Sequence, residues 1–523
     1  MPDYMYLLES RLSPEQRAVL ERVQELSRSQ DVNIYLSGGA VRDLISGQPI
    51  RDLDFTVEGN PVRMVRELEK GGARTLWESE KLRHYEVIFA GDVDGSISGA
   101  RDDVYEKPGA KPEVRFSGIM EDLRRRDFSI NAIAISLNTQ SRGLLLDPTN
   151  GLADLEKQEV RALTNHAFTN QPIRLMRILR YCARMNFRME SRTQEWFDLA
   201  IERELHKNLG GADVGNEVRS LAREDNPVAT LKQWESHEML AAIHPNLPRR
   251  KPDYDSLNKL ARVRGNLMES GLRPRLNVPV MYYTLGRLKD REAATAMRNM
   301  ELRASEIKEV DELVGHAQKI VQDLKGRKTN APKDAYFYLA SVPPEMIAFI
   351  EVEMPNPKAS SKIRNYLQKW RPLRLGLPVG ELDALGVARG PKFDKIIEEL
   401  FELQLRGRGR DPESRVKILR NLAGIKEEPK KKPEKEKKRK GKEAGAPEGK
   451  HEKSKGETPA TTPPATAAKS VPTGEKPAVG ATSTATAKAK GKPAKKPGTQ
   501  RVSSKHARTG TKSKGRAAKS SRR

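Results

Sequence analysis

The chain has 523 residues, with 96 Lys+Arg against 71 Asp+Glu and a single cysteine, Cys182. One thiol excludes a disulfide scaffold and any cysteine-rich zinc module. The lack of a run of about 18 apolar residues, and an N-terminus acidic where a signal peptide is basic, predict a cytoplasmic protein with no membrane segment.

In chain order, Ser13 as N-cap, Pro14 in the first turn and Val19, Leu20, Val23 and Leu26 at helical spacing predict an amphipathic helix ending at Arg28. Val32 to Leu36 reads as a strand running into Ser37-Gly38-Gly39-Ala40, after which Val41 to Ile45 reads as a short helix. A second strand follows from Leu53 to Val57, and others are expected at Tyr85 to Phe89, Val93 to Ile97, Ile130 to Leu137 and Leu144 to Leu146. Beyond Asp154 the period is helical, broken by prolines. This places an α/β head over residues 1–160, a helical neck over 161–245 and a helical body and tail over 246–425. Residues 426–523 hold no Phe, Trp or Tyr and three Val, and their 29 Lys+Arg and 9 Asp+Glu give a net +20. So little apolar surface cannot offset chain entropy, and the segment is predicted to be a disordered Lys/Ala/Pro-rich tail that binds polyanions without sequence preference.

Asp52 and Asp54 carry the strongest chemical signal. Residues two apart on a strand point to one face, so both carboxylates project together while Leu53 and Phe55 turn inward. Two co-facing acids suit a divalent cation bridging to phosphates, although two solvated acids on a half-exposed strand read as well from the pair alone. The diglycine ahead of them weighs against the second reading. Gly38-Gly39 lets backbone N–H groups approach an anion, and the helix that follows adds positive charge at its start, with Arg42 in its first turn.

Three ordered motifs, Gly38-Gly39-Ala40-Val41-Arg42-Asp43, Arg51-Asp52-Leu53-Asp54-Phe55 and Glu121 to Ala132 with its Arg124-Arg125-Arg126-Asp127 core, resemble the head of the class II tRNA nucleotidyltransferase and bacterial poly(A) polymerase family. Asp147-Pro148, Gly151 and Asp154-Leu155 continue the pattern, and the likeness is strong over about residues 30 to 190. The resemblance implies a polymerase-beta-like head with a mixed sheet. It implies that Asp52 and Asp54 hold Mg2+, as a two-metal site. Gly39, Arg42 and Arg126 would contact a triphosphate, with Asp127 and Asn131 shaping the ribose and phosphate site. In relatives a third acid precedes an Ala-Arg pair; here Ser96 occupies that place, and Asp94, two residues away on the same face, is a candidate substitute.

From Pro172, Arg174, Arg177, Arg180, Arg184 and Arg188 recur at spacings of three and four, and no Asp or Glu occurs between Glu159 and Glu190. A solvated helix face ordinarily mixes signs, so an unpaired arginine stripe is expected to face phosphates or bases. The corresponding family helix opens with an acid that reads the base with the arginine of Arg174. Gln171 stands in that acid's place, which leaves nucleotide choice open. Arg184 and Arg188 are expected to touch RNA, as are Gly386, Gly390 and Lys392 in a glycine-rich helix–turn–helix that resembles the family's tRNA-holding tail module. An ordinary αα-hairpin fits that turn equally well. His237 and His244, seven apart and without co-facing acids, read as a helix cap and a core or interface imidazole.

These features predict a template-independent RNA 3′-end nucleotidyltransferase that adds or repairs the CCA terminus of tRNA from CTP and ATP. Alternatives are a poly(A) polymerase, a partial CC- or A-adding enzyme, and a catalytically dead RNA-binding protein. The last is disfavoured because Gly39, Arg42, Asp52, Asp54 and Arg126 are all present.

Overall fold

A computed structural model describes residues 3–425. The basic tail expected over 426–523 lies outside the described residues.

Two helices open the chain, α1 (Tyr4–Arg11) and α2 (Pro14–Gln30). In α2 the Ser13 hydroxyl accepts from the Gln16 N–H while the Gln16 side chain accepts from the Ser13 N–H, a capping box that fixes the start where Pro14 costs no hydrogen bond. Val19, Leu20, Val23 and Leu26 are buried, as their spacing predicts. Strand β1 (Ile34–Ser37) is buried throughout and passes through the diglycine into α3 (Gly39–Ile45). The helix starts two residues earlier than the sequence reading, so Gly39 lies in its first turn. Next come β2 (Leu53–Val57), α4 (Val62–Lys70), β3 (Arg74–Ser79), β4 (His84–Phe89), β5 (Val93–Gly99), the ribbon β6 (Arg101–Val104) with β7 (Glu113–Phe116), α5 (Ile119–Arg124), β8 (Ala134–Ser136) and β9 (Leu145–Leu146).

Seven strands form one mixed sheet in the order β3-β4-β5-β2-β1-β8-β9, in which β2 and β5 are parallel and the other neighbours antiparallel. The strand expected over Ile130 to Leu137 is shorter. Ser129–Asn131 is a 3-10 turn and only Ala134–Ser136 pairs in the sheet. The turn is imposed by side chains, because Ser129 Oγ donates to Asp154 and Asn131 Nδ2 to Asp127. One sheet face is apolar, with Phe55, Ile97 and Tyr85 buried in the core, and the other carries the polar Asp54, Ser96 and Ser98 beside a small apolar cluster of Tyr35, Ala134, Ile119 and Leu123.

After α6 (Gly151–Lys157) the short strand β10 (Glu159–Val160) pairs in parallel with β11 (Arg188–Met189), and between them lie α7 (Ala167–Asn170) and α8 (Arg174–Met185). The helix expected from Pro172 to Arg188 is therefore shorter at both ends, and Arg188 sits on a strand beside Glu159 rather than on the arginine stripe. Helix α9 (Ser191–Glu202) packs against α7, and α10 (Gly211–Leu221) and α11 (Pro227–Ser236) pack against α8, where the Trp234 indole N–H donates to the Met176 carbonyl. The remaining described residues are helical, apart from turns. A continuous apolar core runs from Met5 to Leu405, and a second small core around Leu382, Phe393, Leu400 and Leu419 closes the last helices. Among the described residues no helix is long and apolar enough to cross a membrane.

Candidate active site

The Asp54 face of the head sheet and the exposed side of α8 enclose a cavity of about 430 Å³. Its lining includes ten arginines and five carboxylates, so its net character is strongly cationic and suits a polyanionic ligand.

On its floor Asp54 lies within β2 and Asp52 just before it, and both line the cavity. A Cβ built on Gly39 would stand 3.8 Å from Asp52 Oδ1 and 4.0 Å from Asp54 Oδ2, so the two carboxylates converge on the space a side chain there would take. Gly38 has φ +70, which an L side chain adopts only with strain, and its N–H donates to the Ile133 carbonyl. Burial first, and then the charge of Asp52, push the Asp54 carboxyl up to about 6. Two converging acids of this kind suit a shared cation. Arg223 Nη1 reaches Asp52 at 3.4 Å, and Ser96 Oγ donates to Asp54 Oδ1 at 2.6 Å. The donor set fits a hard divalent ion that keeps positions open for water and phosphate oxygens. Among the described residues no group of three or more His, Cys, Asp or Glu could hold a metal by itself.

Register fixes which residue stands beside the acids. Asp54 pairs with Ser96 across β2 and β5, so Ser96 occupies the position beside the acids. The Asp94 carboxylate pairs with Arg275, 3.3 Å away, which also holds Asp92.

The third motif builds the wall above. Asp122 is fully buried, and although burial opposes its ionisation, Arg126 and Arg125 hold it below the usual carboxylate range. Anchored on it, Arg126 donates to Ser37 Oγ at 2.9 Å, Thr56 Oγ1 at 3.2 Å and the Asn131 carbonyl at 3.0 Å. Arg42, buried, donates to Asp43 at 2.9 Å and to Asn131 Oδ1 at 2.6 Å. Asn131 in turn donates to Asp127, which also accepts from Arg177 at 3.0 Å. All of Arg42, Arg126, Asp127 and Asn131 line the cavity with Gly39.

The arginine stripe is not unpaired as the local sequence suggests. Arg177 and Arg180 donate to opposite oxygens of Glu217 on α10 at 2.7 and 3.0 Å, and Arg180 also donates to Glu224 at 2.9 Å. Arg184 donates to Asp43 at 2.5 Å, and Arg188 pairs with Glu159 at the surface. Arg174 is the exception: it lines the cavity, and its buried Nε finds no hydrogen-bond partner among the described residues. Gln171 falls in the break before α8, also on the cavity wall, with its Nε2 donating to the Tyr105 hydroxyl at 2.9 Å. Gly386 and Gly390 border an open concavity between helices Val379–Ala384 and Pro391–Leu405, where Lys392 Nζ lies 3.4 Å from the Ala423 carbonyl. His237 hydrogen bonds to Gln233 and Ser236 at the end of α11, the cap its position implied, and His244 is buried.

His84, Arg101, Arg125, Tyr181 and Arg223 also line the cavity and were not singled out in the sequence. The partners of the α8 arginines, Glu217 on α10 and Glu224 in the turn after it, carry no local sequence signal that points to α8.

A mixed head sheet with paired acids beside a glycine turn, covered by an arginine-bearing helix, sets two converging carboxylates in a cationic, anion-binding cavity. Residues 34–161 match the family model described as Poly A polymerase head domain. The chain is 23% identical over 424 residues to the A-adding tRNA nucleotidyltransferase of Geobacter sulfurreducens, covering 80% of this chain and 48% of the relative. It is 33% identical over 248 residues to the A-adding tRNA nucleotidyltransferase of Halalkalibacterium halodurans, covering 45% of this chain and 56% of the relative. Thus it spans about half the length of these curated relatives or less, and a quarter of that of the A-adding enzyme of Aquifex aeolicus. A structure of the Thermotoga maritima CCA-adding enzyme complexed with tRNA covers 81% of this chain and 98% of its own, at 23% identity and a TM-score of 0.42.

Proposed function

We propose that the chain is a template-independent nucleotidyltransferase of RNA 3′ ends that builds or repairs the CCA terminus of tRNA in the cytoplasm. The RNA 3′-hydroxyl attacks the α-phosphate of bound CTP or ATP, and pyrophosphate leaves. The observation that carries this reading is the convergence of Asp52 and Asp54 beside Gly39 on the floor of an arginine-lined cavity. Mg2+ held by these two carboxylates, as one or two ions, supplies charge neutralisation at the phosphates and a more acidic 3′-hydroxyl. The Gly39 turn, Arg42 and Arg126 hold the triphosphate, and Asp127 and Asn131 orient the ribose side of the site. Ser96 keeps the Asp54 carboxylate aimed at the reacting phosphate. Arg174, which has a donor to spare, and Gln171 read the base. Arg177 and Arg180 form the cationic wall beside them, held by Glu217.

Arg184 locks α8 to the head through Asp43. Arg188, exposed, and the Gly386, Gly390 and Lys392 turn contact the RNA body. A second reading, addition of A alone, is favoured by the Gln171 departure and by the A-adding names of several relatives. The test is pyrophosphate release in the presence of RNA. Release that requires a divalent cation and fails in Asp52→Ala supports the proposal, and cation-independent release or none refutes it.

A further inference from the structure

We propose that Trp77, on the exposed edge strand of the head, is a stacking platform for a base of the single-stranded RNA 3′ end a few nucleotides behind its reacting terminus; this rests on the reading of the cavity given above. Strand register carries the inference. Asp54 lies opposite Ser96, Ser96 opposite Glu86, and Glu86 opposite Trp77. Residues paired in this way share a sheet face, so one cross-strand row leads from a floor carboxylate to the edge of the sheet. Three steps of 4.7–4.9 Å put Trp77 roughly 14 Å from Asp54.

The indole is placed for exposure. The row on the other face, Phe55, Ile97 and Tyr85, is buried, whereas Trp77 is 44% exposed, and no other tryptophan stands among the exposed large apolar residues. A bulge between Thr75 and Trp77 inserts Leu76, whose carbonyl accepts from Arg303 at 3.1 Å, and a pinned bulge re-aims the next side chain. The cavity-lining His84 braces the ring, with centroids 5.8 Å apart at 54°. Burial, then Arg101 and Arg125, push the His84 imidazole down to about 4, so the brace is neutral near pH 7.

The chemistry along the row selects a base rather than a phosphate. Glu86 is exposed between Ser96 and Trp77, and its carboxylate repels phosphate but accepts from the exocyclic amine of cytosine or adenine. Exposed Arg74, the first residue of the strand, and Lys81, just past its end, suit the RNA backbone, while exposed Glu78 and Glu80 between them repel phosphate as Glu86 does. An aromatic face beside cations is how proteins hold single strands, since every base has a π-face. At about 3.4 Å per stacked nucleotide, the platform lies about four nucleotides from the 3′ end.

The experiment compares the full chain with Trp77→Ala and Trp77→Phe, using single-stranded oligoribonucleotides ending in CC with 2-aminopurine at one of the last six positions. The wild type should quench the probe most strongly near the fourth nucleotide from the end. Trp77→Ala should lose that maximum and raise the RNA KM by about 5–100-fold with the triphosphate KM unchanged, and Trp77→Phe should retain most of both. An unchanged quenching profile and RNA KM in Trp77→Ala would overturn the platform. Quenching needs only binding, so it decides the platform even where absent pyrophosphate release defeats the reading of the cavity.

Discussion

Glu217 is the keystone of the cationic wall, and its replacement by Gln is a sharp test of how that wall is held. The side chain is buried and accepts from both Arg177 and Arg180. Burial opposes its ionisation, but Arg180 and Arg177 more than compensate and hold its carboxyl below the usual range. A Gln of the same shape offers one acceptor oxygen, so one of the two guanidinium bonds is lost, at about 1.5–3 kcal/mol for a bond to a charged group. The two buried cations also lose a full negative charge, and breaking one partner of such a pair costs about 3–5 kcal/mol in all. Asp127 and Glu224 still engage Arg177 and Arg180, which sets the expectation at the lower end, about 3 kcal/mol. Urea titration, which leaves ion pairs unscreened, should find this difference at pH 7. A depressed folded pKa contributes stability that is present above the unfolded value of about 4.3 and lost as pH falls through the folded one. The gap between wild type and Glu217→Gln should therefore be flat above about pH 5 and shrink on the acid side. A gap under about 1 kcal/mol at pH 7, or one that does not change with acid, would refute the role assigned to this carboxylate.

Three further outcomes follow from named contacts. Ser96→Ala removes the 2.6 Å bond to Asp54 and should lower kcat/KM roughly 10-fold with RNA affinity unchanged, which steady-state kinetics checks. Gln171→Asp replaces a donor–acceptor amide with an acceptor-only group beside Arg174 and should shift the CTP-to-ATP ratio of kcat/KM toward CTP by about 1–3 kcal/mol; equal ratios would mean that Gln171 does not read the base. Deleting residues 426–523, which carry a net +20, should leave kcat intact, weaken RNA binding at low salt and flatten its salt dependence, as binding isotherms at several salt concentrations would reveal.

The parts of the site legible in the sequence are those set by local geometry. Alternation along one strand brings Asp52 and Asp54 to one face, and a diglycine between strand and helix needs no distant partner. What escaped depends on residues far away in the chain. Which residue stands beside the acids is decided by the pairing of β2 with β5, and Arg275, some 180 residues on, pairs with Asp94. The α8 arginines read as unpaired because their carboxylates come from α10, the turn after it and Asp43. Ile130 to Leu137 reads as a strand from its apolar content, yet Asp127 and Asp154 bend its first residues into a turn. Strand β3, Arg-Thr-Leu-Trp-Glu-Ser, shows no burial alternation because it is an edge strand interrupted by a bulge, and it went unnoticed.

The central claim is that Asp52 and Asp54 direct nucleotide transfer to an RNA 3′ end. The most direct measurement supplies tRNA transcripts lacking the CCA end, ending in C, or ending in CC, each with one triphosphate and Mg2+, and sequences the 3′ ends after incubation with wild type, Asp52→Ala and Asp54→Ala. The account predicts defined additions of C or A by the wild type, and a loss of several orders of magnitude in both variants while tRNA binding persists. Near-normal addition by both variants, or no addition to any transcript by the wild type, would contradict it.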